Sequence, residues 1–276
     1  MIPPVDPVLF QIGPLGVHWY GILIVTGIIL GANVAAYLAK NAGQDPETIW
    51  DMLIIVVILA IIGARIYHVF SQPSEGLIGW NYYKDNLLEA LYIWNGGLGI
   101  YGAIIGGILG VILFTARRKL RPLQWLDFAA PGMAVGQSIG RWGNYVNIEL
   151  YGPPTTLPWG LRVPARYRIA PYTDLIQYPE STLFHPTFLY ESLAALALFL
   201  LLLWIATHFR DKLQEGDLLV GYLMGYAVIR FCTEMLRPDA WMVGNIAAAQ
   251  LFALIFFITG AAYLLVRHGW LPRQAR

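Results

Sequence analysis

Long apolar runs separated by short polar stretches set the pattern of this chain. Val17–Tyr37, Met52–Phe70, Leu91–Thr115, Thr187–Ile205, Leu218–Leu236 and Val243–Val266 each match the roughly 20 mostly apolar residues that a helix needs to cross a bilayer. Six transmembrane helices are predicted on that ground. A seventh stretch, Leu123–Ile139, is shorter and carries Asp127, Pro131, Gln137 and Ser138, so hydropathy leaves it open. The runs are about twice the length of a barrel strand and do not alternate, which argues against a β-barrel. The opening MIPPVDPVLF has no basic n-region and no small-residue cleavage pattern. The first run is therefore expected as a retained helix after an irregular, proline-bearing strap.

Composition agrees with this pattern. The 276 residues are 57% hydrophobic and 13% charged, about half the charge of a typical soluble domain. A single cysteine excludes a disulfide framework, and a net charge of +1 gives no global attraction to nucleic acid. An integral membrane protein in a lipid bilayer remains.

Basic residues decide the seventh span. With seven spans and the N-terminus outside, Lys40, Arg117, Arg118, Lys119, Arg121, Arg210, Lys212, Arg267, Arg273 and Arg276 fall inside. Lys84, Arg141, Arg162, Arg166, Arg168 and Arg237 fall outside, four of them in one long loop where the positive-inside rule is weakest. Removing the seventh span moves Arg210, Lys212 and the C-terminal cluster to the other side. The expected fold is all-α: a polytopic membrane protein with seven transmembrane helices, N-terminus periplasmic and C-terminus cytoplasmic. It is expected as one domain over 1–276, with 141–186 an outer loop segment. That loop and a second outer segment, Ser71–Ala90, hold Trp80, Tyr82, Tyr83, Trp159, Tyr167, Tyr172 and Phe184, which suits packing at the outer interface.

Function must then be read from polar groups placed where lipid makes them expensive. An arginine inside a span costs several kcal/mol on insertion scales. Arg65, about six residues from its helix end, has two open readings: a structural, snorkelling role and an anion site. Tyr226, Arg230 and Glu234 are spaced four apart, so they share one helix face, either as a self-satisfied ion pair or as the lining of a polar cavity. The densest group is GRWGNYVNIELYG at 140–152, with Arg141, Asn144, Asn147, Glu149 and Gly152. A capping turn explains part of it, while binding of a negatively charged headgroup suits the whole, because the arginine fork matches phosphate.

WNGGLGIYGAIIGG at 94–107 combines close-packing glycines with Asn95 and Tyr101 as candidate cleft residues. His18 and Tyr20 are candidate interfacial anchors, His185 a candidate loop cap, and Asp127 a group expected to pair with a basic side chain. Cys232 has no histidine near it in sequence and is expected as a small core residue. No metal-ligand spacing and no phosphate-binding loop of the nucleotide type occurs, so neither metal nor cofactor is expected. On this pattern alone a transporter or channel, a lipid-modifying enzyme and a receptor-like protein all stand open. The gathering of polar groups at the outer ends speaks against transport, which needs them to continue inward.

The segment GRWGNYVNIELYG closely resembles the characteristic motif of the bacterial phosphatidylglycerol–prolipoprotein diacylglyceryl transferases. GPLGVHWYG at 13–21, WNGGLGIYGA at 94–103, HPTFLYES at 185–192 and YAVIRFCTEMLRPD at 226–239 follow in the family order, so the resemblance covers nearly the whole chain. It implies transfer of the diacylglyceryl group of phosphatidylglycerol to the lipobox cysteine thiol of a prolipoprotein signal peptide. A thioether forms and glycerol phosphate is released. It also implies seven helices, a bacterial inner-membrane location and chemistry near the outer leaflet. Arg141 and Arg230 match the family's essential arginines, expected to bind the headgroup and stabilise the leaving phosphate. Asn144, Asn147, Glu149, Gly152, Tyr20, Tyr226 and Glu234 match other site positions, expected in binding or support. The chain departs from the pattern at Tyr101, where many members carry histidine. A phenol titrating near pH 10 is a poor general base at neutral pH, so Tyr101 is expected to hydrogen-bond lipid or peptide.

Overall fold

The computed structural model of the chain describes all residues except 4–5, 14, 72–78, 239 and 270–276, and leaves the side chains of Ile12, Leu15 and Asn95 undescribed. Arg273 and Arg276 of the expected cytoplasmic cluster, Asp239 of the last motif and part of Ser71–Ala90 thus lie outside the described residues. Seven long helices form among the described residues: α1 (Trp19–Asn41), α2 (Glu47–Phe70), α4 (Ile100–Arg118), α5 (Pro122–Asn147), α6 (Thr187–His208), α7 (Asp217–Glu234) and α8 (Ala248–Arg267). The short α3 spans Trp80–Tyr83. By length and apolarity α1, α2, α4, α6 and α8 can each cross a membrane. Their exposed faces are aliphatic, with Ile54, Ile58 and Ile62 on α2 and Leu254, Ile255 and Ile258 on α8, as lipid solvation requires and water does not tolerate. Polar groups borne by α5 and α7 lower their hydropathy.

Helix boundaries differ from the sequence expectation in several places, and the run Val243–Val266 opens with a short hairpin before α8 starts at Ala248. Leu91–Thr115 is not one helix: Leu87–Leu91 and Ile93–Asn95 are single 3-10 turns, and α4 begins only at Ile100. Gly96 and Gly97 take positive φ of 85° and 76°, a left-handed turn that glycine adopts without steric cost and that hydropathy does not register. Conversely, α5 continues past Ile139 to Asn147. Residues 141–147 therefore belong to a helix, and the outer loop starts at Ile148. On this last part of α5, Trp142, Asn144, Tyr145 and Asn147 are hydrogen-bonded to other residues and Arg141 is ion-paired, which lets a polar stretch stay helical.

Contacts divide the chain into two compact units, Ala39–Trp125 and Met1–Leu38 with Leu126–Arg276. Within the first, α2 and α4 pack backbone against backbone. A Cβ on Gly102 would stand 2.1 Å from the Gly63 carbonyl oxygen, and one on Gly106 2.1 Å from that of Leu59. The glycine spacing thus does what small-residue stripes do in membranes, letting helices approach closely.

Within the second unit, α1 meets α5 in the same way, a Cβ on Gly132 falling 2.4 Å from the Gly31 carbonyl. Gly225 of α7 packs on Leu198 of α6, and Gly260 of α8 on Met224 of α7, which sets α7 between α6 and α8. The outer loop folds on its own small core of Ile148, Tyr151, Leu161, Val163, Tyr172, Phe184 and Phe188. Its three short antiparallel strands, β3 (Pro154–Thr155), β4 (Leu161–Arg162) and β5 (Leu183–Phe184), lie in the order β3-β5-β4. They follow the N-terminal hairpin of β1 (Val8–Ile12) and β2 (Leu15–His18), and a further hairpin, β6 (Met242–Val243) with β7 (Ile246–Ala247), precedes α8. The strap ahead of β1 is tied to the loop: the Met1 amino group donates to Gly160 O at 2.6 Å, and Tyr145 Oη to Ile2 O at 2.6 Å.

Candidate active site

The last two turns of α5 present Arg141, Asn144 and Asn147 three residues apart, on one side of the helix. Beyond Asn147 the chain turns sharply, with Ile148 and Leu150 both left-handed at φ 57° and 56°. Such a conformation costs a non-glycine residue about 1–2 kcal/mol. The buried Ile148 side chain in the loop core and the hydrogen bond from Thr187 Oγ1 to Leu150 O hold it. Between these two residues, Glu149 folds back on the helix end. Its Oε1 accepts from Asn144 Nδ2 at 2.9 Å and from Asn147 Nδ2 at 3.3 Å. A carboxylate at the negative end of a helix is unfavourable, and the two amides offset this. Gly152 is a packing position: its N–H donates to His185 O at 2.9 Å, and a Cβ there would lie 2.9 Å from that of His185 and 3.1 Å from Leu236 O.

Arg141 reaches α6. Its Nε lies 2.6 Å from Glu191 Oε2, and the two side chains are 20% and 8% exposed. The crossing is fixed one helical turn earlier. Ser138 Oγ donates to Ser192 O at 2.8 Å, Ser192 Oγ donates to Ser138 O at 2.9 Å, and Trp142 Nε1 donates to Ser192 Oγ at 3.1 Å. Tyr20, from α1, packs its ring on Gly143, where a Cβ would fall 2.1 Å from Tyr20 Cδ2. Four helical positions of the sequence candidates, Tyr20, Arg141, Asn144 and Asn147, are therefore brought together with Glu149.

On α7 the stripe of Tyr226, Arg230 and Glu234 forms as its spacing predicts. Arg230 Nη2 pairs with Glu234 Oε2, and the Tyr226 ring stacks on Tyr222 with centroids 6.3 Å apart. Tyr222 Oη donates to Gln137 Oε1 of α5 at 3.4 Å. Lower down, Asp127 accepts from the backbone of Gly216 at 2.5 Å and of Leu219 at 2.9 Å. The two helices thus run side by side in the same direction. Asp127 was expected to pair with a basic side chain; it caps the N-terminus of α7 instead, where unsatisfied N–H groups carry partial positive charge.

Among the described residues, the Arg141 and Arg230 guanidiniums each form an ion pair with one carboxylate, and Arg141 also lies within electrostatic reach of Tyr222; neither is tied to backbone carbonyls. Two other arginines contrast with them. Arg168 of the outer loop donates through Nε, Nη1 and Nη2 to the carbonyls of Val163, Tyr178 and Pro179. Nearby, burial pushes the Tyr151 phenol above its ordinary pKa, keeping it a neutral partner of Tyr167 O and Ile169 N.

The unit Ala39–Trp125 holds the remaining candidates. Arg65 is buried, and its Nε, Nη1 and Nη2 donate to the carbonyls of Ala90, Gly96, Gly97 and Glu89 at 2.6–3.1 Å. The structural reading of Arg65 is the one its bonding supports. Tyr101, in the first turn of α4, is largely exposed and lies against Tyr67, ring centroids 5.6 Å apart. Asn95 ends a 3-10 turn, and its side chain lies outside the described residues. Cys232, expected in the core, is exposed on α7. A small, weakly polar side chain suits a helix face turned to lipid as well as a core. His185 was expected to cap the loop with its side chain; its Nδ1 instead lies 3.1 Å from Tyr190 Oη of α6, while its backbone bonds Gly152 and Pro153 of the loop.

Glu191 was not singled out from the sequence, although it lies within HPTFLYES. The rule that flagged Arg230, a charge inside an apolar helix, applies equally to Glu191 in α6. Its proximity to the helix start masked it as an ordinary end residue.

Comparison with known proteins agrees with the geometry. The sequence model of the family described as prolipoprotein diacylglyceryl transferase matches residues 7–266. A protein of Chloroflexus aggregans named phosphatidylglycerol–prolipoprotein diacylglyceryl transferase is 38% identical, over 97% of this chain and 92% of its own length. Proteins of the same name from Synechococcus elongatus and Listeria monocytogenes are 40% and 36% identical, over 95% and 96% of this chain and 88% and 91% of their own.

Proposed function

The chain belongs to the prolipoprotein diacylglyceryl transferase family, and we propose from this that Arg141 and Arg230 form the phosphate site of its reaction. The enzyme moves the diacylglyceryl group of phosphatidylglycerol to the lipobox cysteine of a prolipoprotein. Sulfur bonds to the terminal glycerol carbon as the carbon–oxygen bond to phosphate breaks. The bonding pair leaves with the phosphate oxygen, and glycerol phosphate departs.

This bond change sets what the protein must supply. A phosphodiester with one negative charge becomes a monoester, so additional charge develops on phosphate only as the bond breaks. Donors aimed at that phosphate stabilise the transition state more than the ground state. The thiol proton goes to the released monoester or to water, the monoester's second pKa lying near 6. The observation that carries the assignment is that both guanidiniums are anchored by a carboxylate ion pair instead of being closed in by backbone carbonyls.

In this reading Asn144, Asn147 and Glu149 form the polar wall beside Arg141, Tyr20 and Tyr226 border the lipid, and Glu234 orients Arg230. Gly152 supports the wall by packing. Tyr101 hydrogen-bonds lipid or peptide without acting as general base, and Asn95 belongs with it. The whole chain, 1–276, acts as one catalytic domain of the bacterial inner membrane with its site at the outer leaflet. Seven spans are supported by seven long helices, and an outside N-terminus by the ten basic residues this arrangement puts inside against six outside.

The test is incubation of the purified protein in phosphatidylglycerol vesicles with a lipobox peptide, read by mass spectrometry. A diacylglyceryl thioether on the cysteine, absent with a Cys→Ser peptide, is expected. No thioether under these conditions overturns the reading.

A further inference from the structure

The family reading asks for arginines at the phosphate, yet an arginine is useful there only if its fork points at the anion. A guanidinium has three bonded nitrogens and about four rotatable side-chain bonds, and holding it in one pose costs on the order of 2 kcal/mol of rotamer entropy. Something rigid must hold it. For Arg230 the anchor is on its own helix, four residues on. For Arg141 it comes from α6.

We propose that Glu191 is the positioning residue of the transfer reaction, holding Arg141 by its Nε so that both terminal nitrogens face the phosphate. The inference rests on the phosphate-site reading of Arg141. Three independent features carry it. The ion pair lies at Nε, 2.6 Å from the carboxylate oxygen, the side of the guanidinium away from the parallel pair of Nη donors that best matches two phosphate oxygens. The carboxylate is more deeply buried than the guanidinium, at 8% against 20% exposure, so the pair opens from the arginine side. Finally, the next residue along α6, Ser192, is locked to Ser138 by reciprocal hydrogen bonds and receives the Trp142 N–H. Glu191 and Arg141 flank this lock, so neither backbone can drift relative to the other. Displacements of about 1 Å at a reacting centre are enough to lower rates a hundredfold.

Electrostatics adds a second consequence. A guanidinium already paired with a carboxylate attracts anions less strongly than a bare one. Glu191 therefore moderates ground-state attraction to every anionic headgroup while leaving directed donors for the charge that develops during bond cleavage.

The experiment compares Glu191→Gln, Glu191→Asp and Glu191→Ala with the intact enzyme in phosphatidylglycerol vesicles, measuring kcat, KM for the lipid and thermal unfolding. Gln keeps an oxygen acceptor in place, and Asp keeps the charge while withdrawing the acceptor by one methylene. The proposal predicts that Gln retains kcat within about threefold, while Asp and Ala lose roughly tenfold to a hundredfold in kcat with KM changed far less. Should Gln be as impaired as Ala, Glu191 acts through its charge or proton and the positioning role is wrong. If activity per folded molecule is unchanged in Ala and only unfolding shifts, the residue is merely structural and the proposal falls. Arg141→Ala, run alongside, separates the two levels: normal turnover in that variant overturns the phosphate-site reading itself, whatever the Glu191 variants do.

Discussion

Arg65 and Arg141 both place a guanidinium within a predominantly apolar helix, but their partners differ in kind. Arg65 is closed in by carbonyl oxygens of residues 89–97, and Arg168 in the outer loop is closed in the same way by Val163, Tyr178 and Pro179. Carbonyls neutralise no charge, yet they use up donors, and each tie fixes a piece of irregular chain that lipid or a loop interior cannot hydrate. Arg141 and Arg230 are ion-paired to carboxylates. Their charge is balanced without their being closed in by backbone carbonyls. The kind of partner thus separates arginines that build the fold from arginines available to a ligand, and the sequence, which shows four arginines in apolar or aromatic surroundings, does not make that distinction.

The contrast can be broken most sharply at the proposed phosphate site. Arg141→Ala and Arg230→Ala should each lower turnover by about 10²–10³, the scale of losing one preorganised donor to a developing anion, measured as thioether formed per minute. Either variant at normal turnover would remove the distinction. The opposite class is tested by stability. Arg65→Ala and Arg168→Ala leave three or four carbonyls unpaired, each worth about 1–3 kcal/mol if buried, so unfolding temperature in detergent should fall clearly for both. A smaller effect sharpens the comparison within the first unit. Tyr101→Phe should lower kcat only severalfold, read as thioether formed per minute; full turnover would end any role for the hydroxyl. Asp127→Asn should be milder still, weakening the cap on α7 by about 1 kcal/mol in thermal unfolding with little change in kcat.

Much of the fold was legible because lipid makes the pattern one-sided: each of the six apolar runs holds one long helix, though two of them start several residues late. The errors fell where hydropathy carries no information. The Gly96–Gly97 turn is apolar yet breaks the helix start at Ile100, and the end of α5 is polar yet helical because its side chains find partners on α6 and the loop. Spacing revealed the Tyr226–Arg230–Glu234 stripe, since i, i+4 neighbours must share a face. It could not reveal Arg141 with Glu191, which are 50 residues apart in sequence and meet only through the Ser138–Ser192 crossing. Asp127 shows the same limit. Its charge was noticed, but a helix N-terminus has no letter in the sequence, so a cation was expected where backbone N–H groups serve.

Thermal unfolding of the four arginine variants with and without phosphatidylglycerol separates the two kinds of arginine, since a ligand that binds only the folded state raises its stability with the logarithm of ligand concentration over Kd. Arg141→Ala and Arg230→Ala should lose most of the rise that phosphatidylglycerol confers, whatever their starting temperature, since each also leaves a buried carboxylate unpaired. Arg65→Ala and Arg168→Ala should unfold below the parent and keep that rise. The reverse result, a lipid-dependent rise intact in Arg141→Ala and Arg230→Ala but lost in the other two, would contradict the account.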